Sequence, residues 1–345
     1  MLTAKFLART AADQDPALWT SLLPGGDASA FGVRYVFDPE ARDYDFLVVY
    51  EDLPYPADSR RSTRVERLPC GRANTLFVTT EPVSIKVYGR HYLRQFGHVL
   101  SRQPAEVIDH PGHIARTPPL RWYYGRPFGD GAYMSVDDLA AHDPAKTQAI
   151  STVCSAKRMS ETLHARRHDF TFALAGRMPE LDVWGRGVRP MSDKADAMDP
   201  YRHHIAVENH VAPGHWTEKI GDCFLAGCLP FYYGPPDIAE VFPHDAVIPI
   251  DIFDLDGAEA TIREALEDDA YARRRSALRE AKRRVLDEQN LLRVCADIAL
   301  ERHAPGEAGG EVLGRHAFRR AHPVLAARDA MQQAGVKRVM RQGSG

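Results

Sequence analysis

The clearest pattern of apolar and polar positions runs from Tyr201 to Pro243, YRHHIAVENHVAPGHWTEKIGDCFLAGCLPFYYGPPDIAEVFP. His204-Ile205-Ala206-Val207 is a short apolar run of the kind a buried strand requires. A polar loop with Pro213 and Gly214 follows. Thr217 then stands where a helix N-cap belongs, with Glu218 in the first turn. Ile220, Cys223, Phe224 and Gly227 fall at helical spacing, which predicts a helix over 217–227 packed on a sheet, with Gly227 at its C-terminal end. Leu229 to Tyr233 reads as a second buried strand, stopped by Gly234-Pro235-Pro236. Strand, loop, helix and strand in that order form the βαβ unit of an open parallel sheet.

The same reading predicts further strands at Lys5–Leu7, Phe31–Phe37, Asp45–Tyr50, Thr75–Thr80, Val107–Ile108, Ala149–Ser155, Leu181–Trp184 and Ala246–Ile250. Tyr88–Leu100 reads as a helix or loop-helix, Ala258–Gln289 as one or two helices, and Leu291–Leu300 as another. Gly185-Arg186-Gly187 is a tight turn, and Pro305–Gly310 a flexible break. Glycine and proline between Gly125 and Gly131, then a polar stretch to Lys146, put a domain boundary near residue 147. The expected organisation is 1–146, 147–310 and a basic tail over 311–345.

Length and composition agree with two domains: 345 residues, 44% of them apolar, suffice for two cores. A net charge of −3 gives no global basic field for nucleic acid. No apolar run reaches membrane-spanning length, and the start MLTAKFLARTAADQD lacks a signal-peptide core. The five cysteines, Cys70, Cys154, Cys223, Cys228 and Cys295, are scattered and read as buried reduced thiols in a cytoplasmic protein. The tail admits two readings, a returning helix or peripheral contact with the inner membrane's anionic surface.

Polar groups gather at one end of the βαβ unit, where ligands bind in such sheets. Glu208 and Asn209 leave its first strand; Glu218 and Lys219 open its helix. A helix N-terminus attracts phosphate, and Lys219 adds a full charge. A carboxylate beside it suits a sugar or ribose diol, and a nucleotide sugar offers both groups. Thr217 is either cap or ligand. In the first domain, Glu81 stands at a strand tip before Pro82, while Glu51 and Asp52 read as a solvated loop, with acceptor contact as the alternative. Arg60, Arg61, Arg64, Arg67 and Arg72 form a solvated segment or an anion-attracting rim. Asp193, Asp196 and Asp199 read as a polar loop, not a metal site.

The run E-N-x(7)-T-E-K followed by LAGCLPFYYGPP resembles the donor-binding motif of glycosyltransferase family 10, the α-1,3/α-1,4-fucosyltransferases, and most nearly their bacterial branch. The resemblance implies a GT-B architecture, two Rossmann-like α/β domains facing across a cleft, the first for acceptor and the second for donor. It implies inverting, metal-independent transfer of L-fucose from GDP-fucose to a glycan or lipid-linked glycan in bacterial surface polysaccharide (lipopolysaccharide, O-antigen) synthesis. Glu81 matches the family's proposed general base, although many members carry one residue between the acid and the proline, which are adjacent here. Aligned on Ser155-Ala156-Lys157 and Asp182–Gly187, Arg167 matches a pyrophosphate-binding arginine, with Arg166 as neighbouring candidate. Lys194 matches a lysine ahead of the motif. Leu120–Gly125 resembles an aromatic-Gly segment of the first domain, read equally as sugar-stacking rings or core. Glu208, Asn209, Thr217, Glu218 and Lys219 would complete the donor site. Two alternatives stand beside this: another GDP- or UDP-sugar on the same frame, or a non-catalytic sugar-nucleotide-binding protein.

Overall fold

The computed structural model describes residues 1–342 apart from 11–14, 57, 60, 156–162 and 307. Ala156 and Lys157 of the Ser155 turn, and Arg60 of the arginine-rich segment, lie outside the described residues. The chain forms two α/β units, residues 1–118 with 291–345, and residues 119–290.

In chain order the first unit supplies β1 (Leu2–Ala8), β2 (Val33–Val36), β3 (Phe46–Tyr50), β4 (Val65–Arg67), β5 (Thr75–Val78), β6 (His98–Leu100) and β7 (His113–Ile114). All but β4 join one parallel sheet ordered β2-β1-β3-β5-β6-β7. Every residue of β3 is buried, as a parallel strand covered on both faces demands. The second unit supplies β8 (Gln148–Val153), β9 (Leu181–Trp184), β10 (Tyr201–Val207), β11 (Leu229–Tyr233) and β12 (Ile248–Pro249), parallel throughout and ordered β12-β11-β10-β8-β9. The strand order reverses between β1 and β3 in one sheet and between β8 and β10 in the other. At such reversals the connecting segments diverge and leave a crevice at the strands' carboxyl ends.

The chain divides at Pro118/Pro119 and Asn290/Leu291, not at the expected 146/147 and 310/311. Residues 119–147 pair with the second unit: the Tyr123 and Tyr124 N–H groups donate to Asp222, and Thr147 N–H to the Pro200 carbonyl. The tail is a structural part of the first unit. Its strand β13 (Glu311–Leu313) pairs antiparallel with β4, and helices Arg315–Ala321 and Pro323–Gln342 follow. Val107 and Ile108 belong to a short helix, Ala105–Ile108, opened by Pro104, and not to a strand. The stretch 88–100 holds a four-residue helix, Arg90–Leu93, and then β6. All five cysteines are free and buried. Among the described residues, no helix is long and apolar enough to cross a membrane.

Candidate functional site

In the second unit, the crevice at the β8/β10 reversal receives Glu208 and Asn209 directly from the end of β10. The expected helix forms over Glu218–Leu225, and Thr217 is its N-cap, its hydroxyl accepting from the Lys219 N–H. Gly227 follows with φ +69°, the left-handed turn that suits glycine. The β10–β11 register, His203 opposite Leu229 through Val207 opposite Tyr233, brings Tyr232 beneath the same loop.

Glu208 is fully buried and organises this loop. Its Oε1 accepts from the Thr217 N–H at 2.9 Å, the Thr217 hydroxyl at 2.9 Å and the Tyr232 hydroxyl at 3.1 Å. Its Oε2 lies 2.7 Å from Thr217 Oγ1 and 3.3 Å from Lys219 Nζ. Direct capture of a sugar by Glu208 is therefore not what the geometry offers, because protein donors already occupy the carboxylate. It instead fixes Thr217 and Lys219. Thr217 likewise acts as a cap, and Lys219 Nζ donates to its hydroxyl at 3.0 Å.

Lys219 and Glu218 are the members of this cluster with partly exposed side chains, 21% and 16%. Burial works against the Lys219 ammonium, but Glu208 and then Glu218 outweigh it and hold its pKa above that of an ordinary lysine. Burial would likewise raise Glu218, yet Lys219 and Lys194 keep it below the usual carboxylate range. Both are charged at neutral pH, 3.5 Å apart. The arrangement presents one cation and one carboxylate side by side at a helix start.

Arg167 sits in the first turn of helix His164–Arg177, which is tied to the same loop by the Leu163 N–H donating to the Asn209 carbonyl at 3.1 Å. Arg167 is close enough for its charge to oppose that of Lys219. Among the described residues, its buried Nε has no hydrogen-bond partner, and neither does the buried Oδ1 of Asn209. Buried polar atoms of that kind are uncommon and call for a ligand or water. The neighbouring Arg166 is engaged elsewhere, its Nε donating to the Ile252 carbonyl at 3.0 Å and its guanidinium 4.8 Å from the Phe253 ring centre. Arg167 is thus the arginine left facing the Lys219 charge.

Asp222 had no signal beyond being an acid inside an apolar helical run. It is fully buried and accepts from the Tyr123 and Tyr124 N–H groups at 3.0 and 3.2 Å and from Lys194. Lys194 stands 5.3 Å from the Tyr123 ring centre. Trp122 and Tyr124 are core residues, so the aromatic segment fastens the second unit instead of offering a row of stacking rings. Asp193 and Asp196 anchor turns, accepting from Gly125 and Ala195 and from Ser192, and Asp199 accepts from the Tyr124 hydroxyl. Among the described residues, no group of three or more His, Cys, Asp or Glu side chains is placed to hold a metal ion.

In the first unit, Glu81 is exposed and lies three residues past the end of β5, not at its last residue. Its backbone is well fixed. The Glu81 and Thr80 N–H groups donate to the Tyr88 hydroxyl at 3.3 and 3.1 Å, and Gln103 Nε2 donates to the Glu81 carbonyl at 2.8 Å. The Tyr88 hydroxyl in turn donates to Glu51 Oε2 at 2.5 Å. Glu51 and Asp52 are buried, not solvated as the sequence suggests. Glu51 follows β3 at the strand-order reversal with φ +75°, a conformation that costs a non-glycine residue roughly 1–3 kcal/mol. Its carboxylate gathers Thr80 Oγ1 at 2.7 Å, Arg9 at 3.0 Å and Lys86. Burial would raise its pKa, but Lys86, Tyr88 and Thr80 together hold it below the ordinary value.

No protein-family model matches the chain. Among solved structures, it is similar to an α1,3-fucosyltransferase, at 15% identity over 87% of this chain and 92% of that one, with a TM-score of 0.48. An α1,3-fucosyltransferase with GDP-fucose is 16% identical over 79% and 81% of the two chains, TM-score 0.45. A glycosyltransferase from Rickettsia africae ESF-5 is 9% identical over 87% and 98%, TM-score 0.48.

Proposed function

We propose that the chain is a glycosyltransferase that takes a sugar from a nucleotide-sugar donor, L-fucose from GDP-fucose in the first instance, and moves it to a hydroxyl of a glycan. The observation that carries this reading is the charged pair at the start of helix Glu218–Leu225. Lys219 is held over the helix N-terminus by Glu208 and Thr217, and Arg167 adds a second cation with an open donor. Two cations at a helix N-terminus suit a diphosphate, whose charge grows as the glycosidic bond breaks. Glu218, ionised beside them, suits a diol or the positive charge that develops on the sugar ring. The resemblance of the Glu208–Lys219 motif to family 10 glycosyltransferases supplies GDP-fucose and the inverting outcome.

In this reading Glu81 is the general base. It takes the proton of the acceptor hydroxyl as that oxygen bonds to the anomeric carbon, and the bonding pair to the diphosphate leaves with GDP. Lys219 and Arg167 replace a metal as the diphosphate's counter-charge. The test is Glu81→Gln, assayed with GDP-fucose and a glycan acceptor with and without EDTA. Donor binding is expected to persist while transfer falls by 100-fold or more, and wild-type transfer is expected to survive EDTA. Unchanged turnover would remove Glu81 from the chemistry, and strict metal dependence would remove the electrostatic role of the two cations.

A further inference from the structure

The first unit contains a cavity of about 460 Å³ between segment 85–92 and the two C-terminal helices. Four cations line it, Lys86, Arg315, Arg319 and Lys337, against one carboxylate, Asp329. Asp329 is buried and turned into the start of helix Arg90–Leu93, where it accepts from the His91 and Tyr92 N–H groups at 2.9 and 3.0 Å and pairs with His91 Nδ1 at 2.8 Å. Its charge is therefore largely answered. Lys86 and Arg315 back onto Glu51 and Asp52, with Arg9 also on Glu51. Even so, the cluster holds five positive groups, these four and Arg9, against three negative ones, Asp329, Glu51 and Asp52.

Arg315 Nη2 is committed inward, 3.2 Å from Asp52 Oδ2, while the rest of its partly exposed side chain lines the cavity. One feature points to a missing partner of opposite sign. Arg319 and Lys337 are exposed and form no ion pair among the described residues, although both face the cavity. A guanidinium anchored on Asp52, beside two uncommitted cations, is suited to an oxyanion able to accept from several donors at once. An excess of two positive charges matches a dianion better than a single carboxylate. The volume lies within the range of small-ligand sites.

We propose that this cavity binds a phosphate monoester, held by Arg315, Arg319 and Lys337. The site stands on the first unit's geometry alone and is separate from the donor site around Lys219, so either can fail without the other.

The test is calorimetry on the full chain in the Lys219→Ala background, which weakens the other anion site. Inorganic phosphate and glucose 1-phosphate are titrated, with glucuronate as the single-carboxylate control. Both phosphates are expected to bind, and Arg319→Ala/Lys337→Ala is expected to weaken them at least tenfold. Both substituted side chains are exposed, so the melting temperature without ligand should not change. Phosphate affinity that is unaltered in the double variant would overturn the site, and glucuronate binding as tightly as phosphate would overturn the assignment of its ligand.

Discussion

Glu208 shows how a single buried carboxylate can build a charged cluster while its own oxygens are taken by protein donors. All of its acceptor positions face Thr217, Lys219 and Tyr232. Glu208→Gln keeps the shape but removes the charge that opposes burial of the Lys219 ammonium. The expected outcome is a loss of roughly 1–3 kcal/mol in stability, since hydrogen bonds to charged groups are worth about that much. A weaker grip on GDP should accompany it, because Lys219 is no longer fixed. Denaturant unfolding and calorimetry read the two effects, and a variant indistinguishable in both would make Glu208 incidental. At this scale the sequence was legible where chemistry is local. Thr217 as a cap and Lys219 at the helix start follow from residue type and neighbours alone. Glu51, Asp222 and Lys5 were opaque because their partners lie far along the chain. Lys5 reads as part of an apolar strand, yet its fully buried ammonium meets Glu66 at 2.7 Å and the Pro39 and Ala41 carbonyls at 2.7 and 2.8 Å. No local pattern announces such acceptors.

Among elements, β10 unites a clear periodicity with two buried histidines, from which a sensitivity to acid is expected. His203 and His204 are both buried there, and burial drives their pKa values down to about 4 and about 3, with Arg202 adding to the first and Lys194 and Lys146 to the second. A folded-state pKa below the unfolded value means the unfolded chain binds more protons. The stability tied to neutral imidazoles is therefore full above pH 6.5 and is lost as pH falls toward 4 and 3. Each histidine contributes about 1.4 kcal/mol per pH unit in that window, so the pair removes roughly 5 kcal/mol by pH 4.5. Melting curves between pH 7 and 4.5 should show the fall, and His204→Gln should reduce its slope. A slope that is the same with and without His204 would contradict this account of β10. The βαβ unit around this strand was readable because strand, cap, helix and glycine each carried their own mark. Val107-Ile108 was misleading because two apolar residues fit either state, and Pro104 decides for the helix.

For the whole molecule, the parallel α/β character was legible and the chain's path was not. A polar, glycine-rich stretch around 125–146 resembles a linker, but its backbone is secured by Asp222, Asp193 and the Pro200 carbonyl. The arginine-rich C-terminus reads as a basic tail, either a returning helix or a membrane-surface contact, because its contacts are each with distant residues. Phe318 packs edge-on at 5.7 Å from Tyr92, Asp329 caps helix Arg90–Leu93, and β13 completes the pair with β4. Deleting residues 311–345 should therefore lower the melting temperature by roughly 10 °C or more, as a loss of about 4 kcal/mol does in a unit of this size. A truncated chain that melts with the full-length protein would return the segment to the status of a tail.

Lys219 as the anchor of a diphosphate is tested most directly by isothermal calorimetry of GDP against wild type and Lys219→Ala. Removing one partner of a charge pair of this kind costs about 2–5 kcal/mol, so GDP affinity should fall by roughly 30-fold or more, with the variant still folded. Equal GDP affinity in the folded variant would contradict it.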